Sequence, residues 1–228
     1  MISGTKRSMS SLAENLKVAK KALRKEIKLK VANISMEEKV RQSELVTKLV
    51  LQMPEYQSAN SLSIYLHMTD EIQTEELLKH SLQSNKKCYI PKYYMGGNKM
   101  EMVRLLDMDD YKSLPTTKWN IKQPSDDEIR EDALDHGLDL MLVPGKFLTN
   151  ALRYFFLFSL NELSFLGMAF TVDGNRLGRG KGYYDTYLSK AKTKNICPIT
   201  VALAFEQQIL KYVPVDSRDI PIDRVIHA

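Results

Sequence analysis

Cysteine and histidine are scarce in this chain of 228 residues: there are two cysteines, Cys88 and Cys197, and four histidines. The cysteines have neither metal nor disulfide spacing and read as two reduced, buried thiols. His67, His80, His136 and His227 lack the H-x-x-x-H type of spacing that zinc sites use. No G-x-x-x-x-G-K-[ST] string occurs, which excludes a Walker A loop. The N-terminus has no apolar h-region, so it does not read as a secretory signal. Internal repeats and low-complexity linkers are missing too.

What is present is ordinary in amount and uneven in placement. Apolar residues make up 43% and charged residues 27% of the chain, as in a soluble globular protein. The length suits a single domain with a full core that needs no staples. The net charge is +5, yet residues 1–30 hold nine Lys/Arg against two Glu, so the remainder is slightly acidic. A nucleic-acid-binding surface would spread its basic patches and interleave aromatics. A local excess points to a small anionic target or to a solvated helix face, and no nucleic-acid partner is expected.

The hydrophobic period separates helices from strands. Residues 1–10 read as a disordered tail. Leu12, Leu16, Ala19, Leu23 and Ile27 share one helical face, with Lys20, Lys21, Arg24 and Lys28 at the other positions. Ser35 and Glu38 form a capping-box pair that opens a second helix, ending near Pro54. Strands are expected at 61–66, 88–90 (ended by Pro91), 100–105, 138–143, 198–205 and 222–226, and further helices at 74–83 and 183–191. The stretch 107–131 is polar and turn-rich. Alternating strands and helices predict an α/β fold, a layered sheet with helices on both faces.

The strongest local signal is Asn175-Arg176-Leu177-Gly178-Arg179-Gly180-Lys181-Gly182-Tyr183-Tyr184-Asp185. Alternating glycines let the backbone approach a ligand and turn its N–H groups into an anion nest. Arg176, Arg179 and Lys181 add charge suited to phosphate oxygens. The helix opening at Tyr183 adds its N-terminal dipole. By physics alone this is a phosphate-type anion site or a tight basic turn that binds nothing.

The same string resembles the signature of the 5-formyltetrahydrofolate cyclo-ligase family, also called methenyltetrahydrofolate synthetases. The resemblance extends to Ala19-Lys20-Lys21-Ala22-Leu23-Arg24, Asp70-Glu71-Ile72-Gln73-Thr74-Glu75-Glu76, Pro91-Lys92-Tyr93, Trp119-Asn120-Ile121, Val143-Pro144-Gly145 and Ala202-Leu203-Ala204-Phe205. It implies a Rossmann-like α/β domain over residues 11–228. It also implies an ATP- and Mg²⁺-dependent enzyme that converts 5-formyltetrahydrofolate, polyglutamylated or not, to 5,10-methenyltetrahydrofolate. A cytoplasmic monomer without membrane partners is expected, with room for a minor mitochondrial form.

The resemblance also assigns residues. Lys20, Lys21, Ala22, Leu23 and Arg24 match an N-terminal ATP-binding stretch. Arg176, Leu177, Gly178, Arg179, Gly180, Lys181, Gly182, Tyr183 and Tyr184 match the nucleotide loop. Within it Arg179 to Tyr183 also match substrate contacts, and Arg179, Lys181 and Tyr183 stand as the catalytic candidates. Leu66, Glu71, Tyr93, Met100 and Trp119 match folate-facing positions. Asp185 and Asp219 match Mg²⁺-ligating carboxylates, a ligand type that Mg²⁺ uses sparingly beside phosphate oxygens and water.

One segment departs from the family pattern. Residues 146–167, KFLTNALRYFFLFSLNELSFLG, intervene between Pro144-Gly145 and the glycine loop. The segment is nearly as long as a membrane span, but Lys146, Arg153 and Glu162 argue against one. It reads either as an inserted amphipathic helix or as a translated intron. Gly145-Lys146 can be encoded as G-GTAAG and Leu166-Gly167 as CTAG-G, and excision between them keeps the frame and one glycine codon. If the insert stays in the protein, an impaired folate- or nucleotide-binding relative is the alternative to an active enzyme.

Overall fold

The computed structural model describes residues 3–94, 99–117, 121–145, 169–177, 183–215 and 220–228, with the backbone alone for 3–13. The helices are α1 (Ser3–Ala32), α2 (Met36–Gln52), α3 (Pro54–Ser58), α4 (Glu75–Gln83), α5 (Met108–Ser113), α6 (Ala133–His136) and α7 (Tyr183–Thr193). The strands are β1 (Ser61–Ser63), β2 (Lys87–Tyr93), β3 (Met100–Leu105), β4 (Leu140–Pro144), β5 (Ile199–Ala204) and β6 (Arg224–His227). They form a single six-stranded sheet in the order β3-β2-β1-β4-β5-β6. Every neighbouring pair is parallel except β2 with β3.

Alternation along the strands builds a core on each face. Cys88, Ile90, Leu140, Leu142, Val201 and Leu203 face the side covered by α1 to α4, where Ile27, Val31, Val46, Val50, Leu77 and Leu78 pack. Tyr89, Met141, Val143, Ala202 and Ala204 face the other side, with Leu134 of α6 and Tyr184, Tyr187 and Ala191 of α7. Both faces are therefore covered, as the strand–helix alternation predicts, and apolar residues in successive strand positions serve different cores.

Several local expectations are corrected. The first helix begins at Ser3 rather than after a ten-residue tail, because 3–10 contain no proline and only one glycine to stop it. Its inward stripe runs through Leu16, Lys20, Leu23, Arg24, Ile27 and Val31, while Ala19, Lys21 and Ala22 are exposed. Long basic side chains can lay their apolar stems along a protein surface, so Lys20 displaces Ala19 from the buried face. Ser35 does cap α2, its hydroxyl accepting from the Glu38 N–H at 3.2 Å. Pro54 opens α3 at its first turn instead of only closing α2. Pro91 lies inside β2. Beyond Tyr89 that strand has only β3 as its ladder partner, and a strand with one neighbour tolerates the missing N–H. Cys88 is buried but Cys197 is exposed, so one of the two thiols departs from the expected burial.

Ties distant in sequence lock the sheet. The Asp139 carboxylate accepts from Asn60 N–H and Ser61 N–H, each at 2.9 Å, and joins the starts of β1 and β4. Residues 169–177 form a small hairpin in which Thr171 N–H donates to Asn175 O and Leu177 N–H to Ala169 O. Gly174 turns it at φ +83°, where a Cβ would stand 1.9 Å from the Ile222 carbonyl oxygen; only glycine fits there.

Candidate active site

Strand order places the site. The chain moves from β1 outward to β2 and β3, then returns to the far side of β1 as β4, which makes a switch point between β1 and β4. In open α/β sheets ligands bind at the carboxyl ends of the strands flanking such a point. A small cleft lies there. Tyr65 and Leu66 after β1, Pro91 and Tyr93 at the end of β2, and Pro144 at the end of β4 line it, with Met68, Glu71, Ile121 and Lys122.

The turn after β1 brings the carboxylate inward. Glu71 N–H donates to Met68 O at 3.0 Å, and the Glu71 carboxylate accepts from Met68 N–H at 2.7 Å. Asp70 pairs with Lys39 of α2 at 2.8 Å, and the Ser43 hydroxyl accepts from Gln73 N–H. The Thr74 hydroxyl donates to Tyr65 O and the Tyr65 hydroxyl to Ile72 O. Thr74 N–H donates to His67 Nδ1, and burial lowers the His67 pKa, favouring the neutral ring able to accept that bond. Glu71 ends up 4% exposed. A buried carboxylate at the base of a cleft is suited to a ligand edge rich in N–H donors.

Tyrosines wall that carboxylate. Burial, with the charge of Glu71 adding to it, raises the phenol pKa values of Tyr65 and Tyr93. Burial does the same to Tyr184, and these hydroxyls stay protonated near neutrality. Tyr93 meets Tyr183 edge-on at 5.5 Å between ring centroids. Tyr183 at the start of α7 thus stands against the folate-matched Tyr93. Met100, paired with Tyr93 across β2 and β3, is buried in the core beside it and does not line the cleft.

The anchor of the glycine loop is built from the hairpin. Leu177 is buried in the core, so its side chain packs instead of reaching a ligand. Arg176 is 3% exposed and its guanidinium is bonded to the Asp185 carboxylate. The same Asp185 oxygen accepts from Ile220 N–H at 3.2 Å. One oxygen of the metal-matched Asp185 is therefore engaged by protein, and the phosphate-matched Arg176 is turned toward it. On α1, Lys20 is 9% exposed and Arg24 half-buried, both on the face that packs against the turn at Glu206–Gln208, just past β5. Leu23 is half-buried against the core, whereas Lys21 and Ala22 are exposed. Trp119, Gly178, Arg179, Gly180, Lys181, Gly182 and Asp219 lie outside the described residues, as does the segment 146–167.

The structure thus brings Leu66, Glu71 and Tyr93 to one cleft with Tyr183 at its edge. It adds Tyr65, Met68, Pro91, Ile121, Lys122 and Pro144, which the sequence did not single out as site residues. The alternation of β2, which puts Pro91 on the face of Tyr93, is the one local signal that could have found any of them.

Comparison with known proteins identifies the family. The sequence model of the 5-formyltetrahydrofolate cyclo-ligase family matches residues 16–147 and 162–228. A mouse 5-formyltetrahydrofolate cyclo-ligase is 41% identical over 211 residues, covering 92% of this chain and 93% of the mouse protein. A probable 5-formyltetrahydrofolate cyclo-ligase of Caenorhabditis elegans is 32% identical over 216 residues, covering 93% and 94%. The solution structure of Aquifex aeolicus 5,10-methenyltetrahydrofolate synthetase superposes with a TM-score of 0.66 at 28% identity, covering 91% of this chain and 88% of that one. The family match breaks only inside the segment that the sequence marks as an interruption, and it spans every element that forms the cleft; the chain belongs to the 5-formyltetrahydrofolate cyclo-ligase family.

Proposed function

We propose that this protein converts 5-formyltetrahydrofolate and ATP to 5,10-methenyltetrahydrofolate, ADP and phosphate. The observation that carries the reading is the switch-point cleft, where Leu66, Glu71 and Tyr93 converge in a chain of this family. Glu71 would accept hydrogen bonds from the amino and ring N–H groups of the pterin, and Tyr93 and Tyr65 would flank its plane. The formyl oxygen attacks the γ-phosphorus and ADP departs. N10 then attacks the activated formyl carbon, that oxygen leaves as part of phosphate, and N10 gives up its proton. Such chemistry asks the protein for positioning and charge neutralisation. A basic loop carrying Arg179 and Lys181, with Lys20 and Arg24 on α1, suits that demand.

Mg²⁺ would neutralise the triphosphate. Asp185 fits this use: among the described residues, both of its hydrogen bonds fall on one carboxylate oxygen. The second oxygen would serve a cation that keeps waters and phosphate oxygens as its other ligands. Arg176 would hold the carboxylate in place, and Asp219 would supply the second ligand.

A second reading is an impaired relative, favoured by the break in the family match at 148–161, shortly before the glycine loop. One assay separates them. The full chain and a version lacking 146–167 are mixed with 5-formyltetrahydrofolate, ATP and Mg²⁺, and methenyl absorbance is followed. Product from either chain supports the activity; product from the shortened chain alone marks the insert as the block; product from neither rejects the activity. In the active chain Glu71→Gln should raise KM for the folate about 10- to 100-fold, the range for losing hydrogen bonds to a charged group. KM for ATP should stay the same, and a parallel rise in both would remove Glu71 from the folate subsite.

A further inference from the structure

Two of the side chains lining the cleft carry charge: the buried carboxylate of Glu71 and the half-buried ammonium of Lys122. Lys122 belongs to no motif that pointed to the site, and it sits on a wall built to stay still. Next to it, the Gln123 side chain binds Tyr93 twice, accepting from its N–H at 3.2 Å and donating to its carbonyl at 3.1 Å. The ammonium of Lys92, 1% exposed, donates to Ser125 O at 2.6 Å and Glu128 O at 3.0 Å just beyond. Thr117 N–H donates to Ile121 O at 2.7 Å on the preceding side. Four of these five bonds fasten the segment carrying Lys122 to β2.

The head of Lys122 rests on an aromatic ring and a carbonyl. It stands 4.4 Å from the centre of the Tyr111 ring and donates to Tyr111 O at 3.3 Å. Among the described residues it makes no ion pair. An ammonium has three donors, and a cation over an aromatic face keeps its charge available. A cleft lined by one acidic and one basic side chain carries both signs of charge. That pairing matches a ligand with an N–H-rich head and an anionic tail.

We propose that Lys122 is a specificity residue that binds the glutamyl carboxylates of the substrate. The proposal rests on the reading of the cleft as the folate site. Its chemistry predicts that the contribution of Lys122 disappears when the carboxylates are neutral.

The test is equilibrium binding by intrinsic fluorescence, which needs no turnover. The ligands are 5-formyltetrahydrofolate, its dimethyl ester and ATP, and the proteins are the full chain, Lys122→Met, Lys122→Arg and, as a control, Lys112→Met on the exposed face of α5. Lys122→Met should raise Kd for 5-formyltetrahydrofolate about 3- to 10-fold, between the values for exposed ion pairs and charged hydrogen bonds. It should leave Kd for the ester and for ATP unchanged. Lys122→Arg should retain most of the affinity, and Lys112→Met should match the parent chain. An equal loss for the free acid and the ester would overturn the proposal, as would a loss for ATP alone or no loss at all. If the parent chain binds the folate with this charge dependence but forms no product, the subsite stands and the proposed activity fails. If it binds neither folate nor ester, both readings fall.

Discussion

At the scale of single residues, the charged groups of this protein divide into those that tie the chain and those that face the cleft. Asp139 ties. Burial pushes its carboxyl up, but bonds from the backbone of Ser61 and Asn60 and from the Ser61 hydroxyl outweigh that and hold it below the usual aspartate value. A carboxyl depressed in the folded state stabilises the fold above the unfolded pKa, and the stabilisation is lost as pH falls through the folded pKa. Asp139→Ala should therefore lower stability by about 1 kcal/mol at pH 7, the scale of hydrogen bonds to a charged group discounted for the exposure of Asp139. The gap should close on acidification below the ordinary aspartate range. Urea midpoints of both proteins at pH 7 and pH 3 read this directly, and an undiminished gap at pH 3 would assign the loss to packing. Lys92 also ties, gripping carbonyls of the segment that carries Lys122. Glu71, by contrast, lies among tyrosines whose pKa values its charge helps to raise, so it acts electrostatically on the whole cleft.

At the scale of elements, one residue explains how the sheet tolerates an interruption. Gln208, in the turn after β5, donates to Gly145 O at 2.6 Å, and its own carbonyl accepts from Phe170 N–H at 2.9 Å. Both flanks of the segment 146–167 are therefore fastened to the same residue. A Cβ at Gly145 would stand 2.7 Å from the Gln208 side chain, so the close approach depends on glycine there. A direct link from Gly145 to Met168 would leave three chain steps of about 3.8 Å each between Gly145 and Phe170. A protein lacking 146–167 should fold with the same sheet and keep its thermal midpoint within a few degrees. Circular dichroism melting of the two versions checks this; a large loss of cooperativity in the shortened chain would show that the insert belongs to the fold. Transcript sequencing tests the translated-intron reading separately, since a mature message that still encodes Phe155-Phe156-Leu157 would refute it.

At the scale of the whole molecule, the covered sheet makes the two thiols report on different events. Cys88 lies between strand and helix, and burial pushes its thiol up to about 12, whereas Cys197 is exposed. A thiol reagent at pH 8 should modify one cysteine of the native protein at once. The second should follow only with opening of the core. Mass spectrometry of the labelled protein identifies the order, and rapid labelling of Cys88 would contradict the packing of β2. Much of this molecule was legible in local pattern. Apolar and β-branched runs marked all six strands, one of them, 100–105, to the residue and the others offset at their ends; the Ser35 cap marked the start of α2, and the string from Asn175 to Asp185 marked the family. What was not legible depends on residues far apart in the chain. No local period tells that Lys20 lies on the inward stripe of α1, that Pro91 has only one ladder neighbour, or that Arg176 is bonded to Asp185. The same holds for Lys122, which becomes a cleft residue only because Gln123 and Lys92 fasten its segment to β2. The sequence by itself determined the elements and the two-faced apolar pattern, because these follow from neighbours on one helix or strand. The tertiary structure alone decided where the cleft lies and which charges face it, because both follow from the reversal of strand order between β1 and β4.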